Sequence, residues 1–380
     1  MATTLQVGPP RPPAPVRRMR RWAALTLSVA ALLGALAWPA ASYVRALTYP
    51  GQASFLVRTV EWVRDNGGGG VVNLVESWWY STPPSASVPS TSALPSPAIG
   101  RSVAGGPAPI PVAAGLAPLR GEGRWLAGRV GADGSPVLFT TFERPDVLHP
   151  SIVVGVARID AKMTRLRLVA GTTQPDHLSS AVTAQVPLEA RGGLVAAFNS
   201  GFKMADARGG FLAEGHRVGT LRAGAASVAI RSDGSATVGQ WGRDVGPGPD
   251  VVAVRQSLDL IVDNRRAVDG LADNGGNRWG TTKNQKQYTW RSGLGIDKAG
   301  NLLYVGGANL NLVTLASALV QAGAVRGMQL DIHNEMVAFL AYPGGAAHTL
   351  NGVRLLPDMP GSPDRYLVPD QRDFFEVTLR

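Results

Sequence analysis

The chain has 380 residues, 45% of them hydrophobic, enough for one large or two ordinary domains with a real core. Its net charge of +10 is concentrated at the start: residues 1–50 carry six arginines and no acidic residue, which leaves +4 for the rest and gives a nucleic-acid partner little support. The absence of cysteine excludes disulfides, thiolate metal sites and cysteine nucleophiles.

Residues 1–21 read as a Pro-rich, basic cytoplasmic tail ending in Arg17-Arg18-Met19-Arg20-Arg21. Residues 22–44 carry no charge and, at ~1.5 Å per residue, are long enough to cross a bilayer core of about 30 Å as a transmembrane anchor. Arginines ahead of this run put the amino terminus inside and everything downstream outside. The competing reading is a signal peptide cleaved near the small residues of 37–41; either way the bulk of the protein is exported. Residues 45–80 form a membrane-proximal helical segment: 54–63 have helical apolar spacing and are ended by Asn66 and the glycines to Gly70. The next stretch carries Trp78-Trp79-Tyr80, rings suited to the headgroup level or to packing on the domain. Residues 81–119, rich in Pro, Ser, Ala and Gly, read as an extended spacer before a domain over 120–380.

Within that domain, 151–160 and 164–169 are predicted to form a hairpin, the second alternating Arg and Leu as a half-buried strand does. Residues 192–198 predict a buried strand that exits through Asn199-Ser200-Gly201. Residues 227–231 and 237–241 flank an Asp233-Gly234 turn, and 252–262 are a strand region interrupted by Arg255-Gln256. The polar loop 263–287 is long enough to bind something or to move. A helix is predicted from a Thr314 cap to Gly323, feeding a strand over 328–332, and the tail from Pro343 onward is expected to complete a sheet edge. The expected fold class is α+β, a mixed, mainly antiparallel sheet with flanking helices, preceded by one transmembrane helix. At the end of the 328–332 strand come Asp331, His333, Asn334 and Glu335, where such folds place chemistry. There is no Gly-x-Ser-x-Gly elbow, Walker loop, His-Glu-x-x-His helix or EF-hand spacing, and the five histidines are scattered. No metal site or cofactor is called for.

Four pieces in order, Ala197-Phe198-Asn199-Ser200-Gly201-Phe202, the 210–215 segment, Arg291-x-Gly293-x-Gly295-x-Asp297-x-x-Gly300, and Thr314-Leu315 through Gly323-Ala324 to Met328-x-Leu330-Asp331, resemble the phosphodiester glycosidase domain family. That family includes N-acetylglucosamine-1-phosphodiester alpha-N-acetylglucosaminidase, and the resemblance covers about 194–339. The family follows its Leu-Asp with a glycine pair and a serine, whereas this chain has Ile332-His333-Asn334-Glu335. The resemblance implies that Asn199, Arg291 and Asp331 line a pocket for an anionic sugar phosphodiester or surface polysaccharide. A guanidinium fork suits phosphate oxygens, so Arg291 is expected to hold the leaving phosphate. Asp331 would serve the oxocarbenium-like state at the sugar C1, with Glu214 or Glu335 as assisting catalytic carboxylates. Asn199, Gly201, His333 and Asn334 would contact substrate. The function implied is a membrane-anchored extracytoplasmic hydrolase of envelope sugar phosphodiesters. The alternative is a catalytically inactive polysaccharide-binding or assembly factor on the same fold; a third is a peptidoglycan-associated scaffold working through 263–287.

Overall fold

The computed structural model describes residues 8, 26, 37–49, 53–90, 94, 100, 102–103, 105–175, 183–280, 287–344 and 350–380. Most of the predicted anchor, 22–25 and 27–36, lies outside them, and among the described residues no helix is long and apolar enough to cross a membrane. The end of that run belongs to α1 (residues 37–48), which docks on α2 (Phe55–Val63). The Trp62 indole donates to Ser42 Oγ at 3.1 Å, and the Tyr43 and Trp62 rings lie 5.0 Å apart. Ser54 caps α2, its side chain accepting from the Val57 amide. The glycine cluster breaks the helix rather than ending it: Gly67 takes φ +87°, and α3 (Gly69–Trp79) starts two residues later.

Three sheets follow. The first has eight strands in the order β1 (Leu126–Ala127), β2 (Leu138–Glu143), β3 (Val154–Ile159), β14 (Leu302–Leu310), β13 (Thr289–Ile296), β15 (Arg326–Ile332), β11 (Leu260–Asp263), β12 (Arg266–Ala267). The second runs β7 (His216–Val218), β6 (Phe211–Ala213), β10 (Val251–Gln256), β8 (Ala226–Arg231), β9 (Ala236–Gln240). The third runs β17 (Val353–Arg354), β16 (Phe339–Ala341), β5 (Leu194–Asn199), β18 (Phe374–Leu379), β4 (Thr164–Val169). Every ladder between these strands is antiparallel. The mainly antiparallel α+β architecture is therefore as expected.

Several local expectations need correction. β3 and β4 do not pair: Asp160 Oδ1 accepts from the amides of Lys162 and Met163, turning the chain out of the first sheet and into the third, where β4 pairs with β18. The tail from Pro343 does supply an edge strand, β17, but β18 is an interior strand between β4 and β5. Past the single-turn helix α4 (Met204–Ala207), the helix α5 (Leu312–Gln321) is capped by Asn311, whose side chain accepts from the Thr314 amide at 2.8 Å, rather than by Thr314 itself. Ile110, inside the stretch read as spacer, is buried, and its amide donates to the Gly123 carbonyl.

All three sheets pack on one core, in which Phe198 from β5, Tyr304 from β14 and Phe339 from β16 meet at ring distances of 4.8–5.6 Å. The other face of the first sheet is covered by α5 through Leu315 and Leu319. Strand alternation divides β13 accordingly: Ser292, Leu294 and Ile296 look to the common core, while Arg291, Gly293 and Gly295 look to α5. The two glycines let α5 approach. A Cβ at Gly295 would lie 2.9 Å from Ala324 Cβ and 3.0 Å from the Arg326 carbonyl oxygen. Backbone cannot yield as a side chain end does, so Gly295→Ala is expected to lower stability by about 1–3 kcal/mol. A fall in the urea midpoint at unchanged m-value would show it.

Candidate functional site

Antiparallel pairing of β18 with β5 sets Phe374 beside Asn199. The residues just before β18 therefore lie against the turn just after β5, and the tip of β15 meets both. At this junction Arg372 Nη2 donates to Asp331 Oδ2 at 2.9 Å and to the Gly201 carbonyl at 2.9 Å. The Asp331 Oδ1 accepts from the Ile332 amide at 2.9 Å. Burial pushes the Asp331 carboxyl up to about 6, against the pull of Arg372. Arg372 is held charged: burial works against the cation, but the carboxylates of Asp331, Glu61 and Asp373 outweigh it and raise its pKa. Behind this pair, Arg255 Nε donates to Asp373 Oδ2 at 2.6 Å with both side chains sealed from solvent, and Ser200 Oγ donates to the same oxygen.

Asn199 is joined to Asp331 through one hydroxyl. Its Nδ2 donates to Ser292 Oγ at 2.9 Å, and Ser292 Oγ contacts the amide and carbonyl of Asp331 at 3.4 Å. Its Oδ1 accepts from Tyr304 and from the Ala338 amide, so the Asn199 amide is occupied in tying the first sheet to the third. Gly201 reaches the site through its carbonyl.

Two expected site residues lie elsewhere. Arg291 is turned to the α5 face of β13, where its guanidinium donates to the carbonyls of Leu310 and Gln287, and burial lowers its pKa to about 10. The arginine that meets Asp331 is Arg372. Glu214 sits half exposed on the β6–β7 turn, 3.7 Å from Arg167, and does not line the cavity described below.

The segment after Asp331 keeps a backbone path suited to glycine although it contains none: His333 takes φ +75° and Glu335 φ +67°. His333 stacks on Tyr80 at 5.7 Å, and burial presses its pKa down to about 3. It is therefore neutral, and its Nε2 at 3.4 Å from Glu76 is a polar contact rather than an ion pair. Asn334 is exposed. Glu335 accepts from the Ser54 amide at 2.9 Å.

These contacts show what covers the strand ends. α1 and α2 lie over them and enclose a cavity of ≈ 310 Å³ whose lining includes Arg45, Glu61, Lys203, Glu335, Arg365 and Arg372. Glu61 of α2 pairs with Lys203, which also meets Asp65 at 3.0 Å. Burial alone would raise the Glu61 carboxyl, yet Lys203 and Arg372 hold it below its ordinary value. A carboxylate from α2 thus occupies the position between two cations where an anionic ligand would be attracted. Asn199, Arg291 and Asp331 are all buried, and none of the three lines this cavity. Among the described residues no group of three or more His, Asp or Glu side chains is placed to hold a metal ion.

Arg372, Lys203 and Glu61 were not found from the sequence. The available signal was the charged run Asp370-Gln371-Arg372-Asp373 directly before an apolar strand, which marks a strand end as surely as the Asp331 motif does.

No protein-family profile and no curated protein matches the chain. Among solved structures it is similar to the zebrafish N-acetylglucosamine-1-phosphodiester alpha-N-acetylglucosaminidase catalytic domain, auto-inhibited by its pro-peptide. That likeness has 16% identity and a TM-score of 0.41 over 67% of this chain and 86% of that one. It is also similar to a hypothetical protein from Synechocystis, at 13% identity and a TM-score of 0.37 over 65% and 63%. A protein from Burkholderia pseudomallei described as exported gives 12% and 0.30 over 60% and 74%.

Proposed function

We propose that the chain is an exported, membrane-tethered hydrolase that cleaves the C1–O bond of an anionic glycosyl phosphodiester in the cell envelope. The observation that carries this reading is the Asp331 carboxyl, with its pKa raised to about 6, held 2.9 Å from Arg372, which itself lines a cavity where the Glu61 carboxylate is drawn to Lys203 and Arg372. Such a cavity suits a ligand that is both anionic and polar. Arg372 and Lys203 would take the phosphate oxygens. As the C1–O bond breaks, the electron pair leaves with the phosphate monoester, and a water oxygen bonds to C1. Asp331 receives the proton of that water and faces the oxocarbenium-like charge. A phosphate monoester needs little protonation to leave, so one carboxylate suffices and Glu335 need only border the sugar.

On this reading the arrangement with Glu61 inserted is a closed one. Glu61→Gln removes the competing anion and is expected to raise the rate of sugar release several-fold, by easing displacement of α2. The test is reducing-sugar release from a synthetic sugar-1-phosphodiester by the full chain, with Asp331→Asn as the control. The departure at Ile332-His333-Asn334-Glu335 favours the non-catalytic alternative. Saturable binding of the phosphodiester with no sugar released, by either the native chain or Glu61→Gln, would decide for it.

A further inference from the structure

The α3 helix exposes an apolar face that the hydrolytic reading does not use. Val71, Leu74, Val75 and Trp78, spaced i, i+3, i+4, i+7, are 51–74% exposed, and Trp79 beside them is 69% exposed. At 100° per residue the four span one quadrant or so of the helix. Glu76, the sole charged residue of α3, points away from them to Arg64 and His333. The face therefore presents only hydrocarbon and indole. Nothing among the described residues covers it, and a contiguous apolar patch of this kind marks an interaction surface.

The occupant follows from where the face is held. α3 is reached from the uncharged run 22–44 through α1 and α2, and α1 itself exposes Trp38 (71%) and Val44 (58%). That run is preceded by Arg17, Arg18, Arg20 and Arg21, an arrangement that draws a chain to an anionic leaflet. A second protein could bind the same patch, but an apolar stripe ending in paired tryptophans and free of charge is the composition of a helix lying in a lipid headgroup boundary. We propose that the outward face of α3 lies in the outer surface of the bilayer. The face is then a second membrane contact besides the apolar run, and it holds the cavity lined by Arg372 and Lys203 at the lipid surface. This contact does not depend on whether the cavity hydrolyses anything.

The lack of native cysteine makes the test direct. Leu74→Cys and Val75→Cys on the face, and Asn73→Cys on the exposed opposite side, each carry a nitroxide on the full chain reconstituted in phosphatidylcholine and phosphatidylglycerol vesicles. The expected result is a several-fold higher ratio of oxygen to nickel-chelate accessibility at 74 and 75 than at 73. Equal ratios at all three positions overturn the proposal. So does shielding at 74 and 75 that follows the protein-to-lipid ratio, since that would make a second copy the occupant.

Discussion

Asp331→Asn is expected to abolish sugar release, by about a thousandfold or more, while leaving the protein at least as stable as before at pH 7. The two outcomes together separate a functional carboxylate from a structural one. Burial holds the Asp331 carboxyl at about 6 instead of its ordinary 3.8, so the folded state favours the neutral acid. Its stabilising contribution is present below 3.8 and lost as pH rises through 6. At pH 7 the ionised group costs about 3 kcal/mol relative to a neutral one, at 1.36 kcal/mol per unit of pKa. Asparagine avoids that cost and keeps the shape, and Arg372 retains the Gly201 carbonyl and the neighbouring Asp373. His333 has the opposite sign: held down to about 3 from 6.5, it contributes stability above 6.5 that is lost as pH falls. Between about 4 and 6 the folded protein carries a proton on Asp331 that the unfolded chain lacks, and lacks one on His333 that the unfolded chain carries. The two slopes cancel there. Asp331→Asn removes one of them, so its stability should fall by up to about 1.4 kcal/mol per pH unit between 6 and 4 relative to the native chain. Urea titrations at pH 4, 5, 6 and 7 measure this; parallel curves for the two proteins would refute the burial of an ionisable Asp331.

Local chemistry was legible in the sequence, and what it was for was legible only in part. The Asp233-Gly234 hairpin forms as expected, because it is specified by residues a few positions apart. The Arg291-x-Gly293-x-Gly295-x-Asp297 pattern was visible too, yet it serves architecture: the glycines admit α5, and Asp297 Oδ1 accepts from the Ala299 and Asn301 amides. Counting alternation from those glycines already puts Arg291 on the helix side, away from Ser292 and Asn199. What could not be read was the meeting of Asp331 with Arg372, of Lys203 with Glu61, and of His333 with Glu76. These pairs join segments 41 to 257 residues apart, and their proximity follows from which strand lands beside which. The same limit explains β4, whose alternation was right and whose partner was wrong.

The largest loss of stability is expected at Arg255. Its Nε donates to Asp373 Oδ2 at 2.6 Å with both side chains fully buried, and it also serves the carbonyls of Gln256 and Phe202. Asp373 in turn lies beside Arg372, which grips Asp331. This ladder of alternating charge joins β10 of the second sheet, the start of β18 in the third and the tip of β15 in the first, so the site rests on it. Arg255→Met leaves a carboxylate sealed from water with, among the described residues, only the Ser200 hydroxyl to bond it, a change that costs about 3–5 kcal/mol. Replacing both members, Arg255→Met with Asp373→Leu, removes the uncompensated charge and should recover most of that loss. Activity is expected to behave differently. The double variant takes away the carboxylate that helps hold Arg372 in place, so sugar release should stay depressed by tenfold or more after stability returns. A double variant as unstable as Arg255→Met alone would mean that the pair contributes packing rather than compensated charge. Recovery of both stability and turnover would mean that Arg372 holds its position through Asp331 and the Gly201 carbonyl alone.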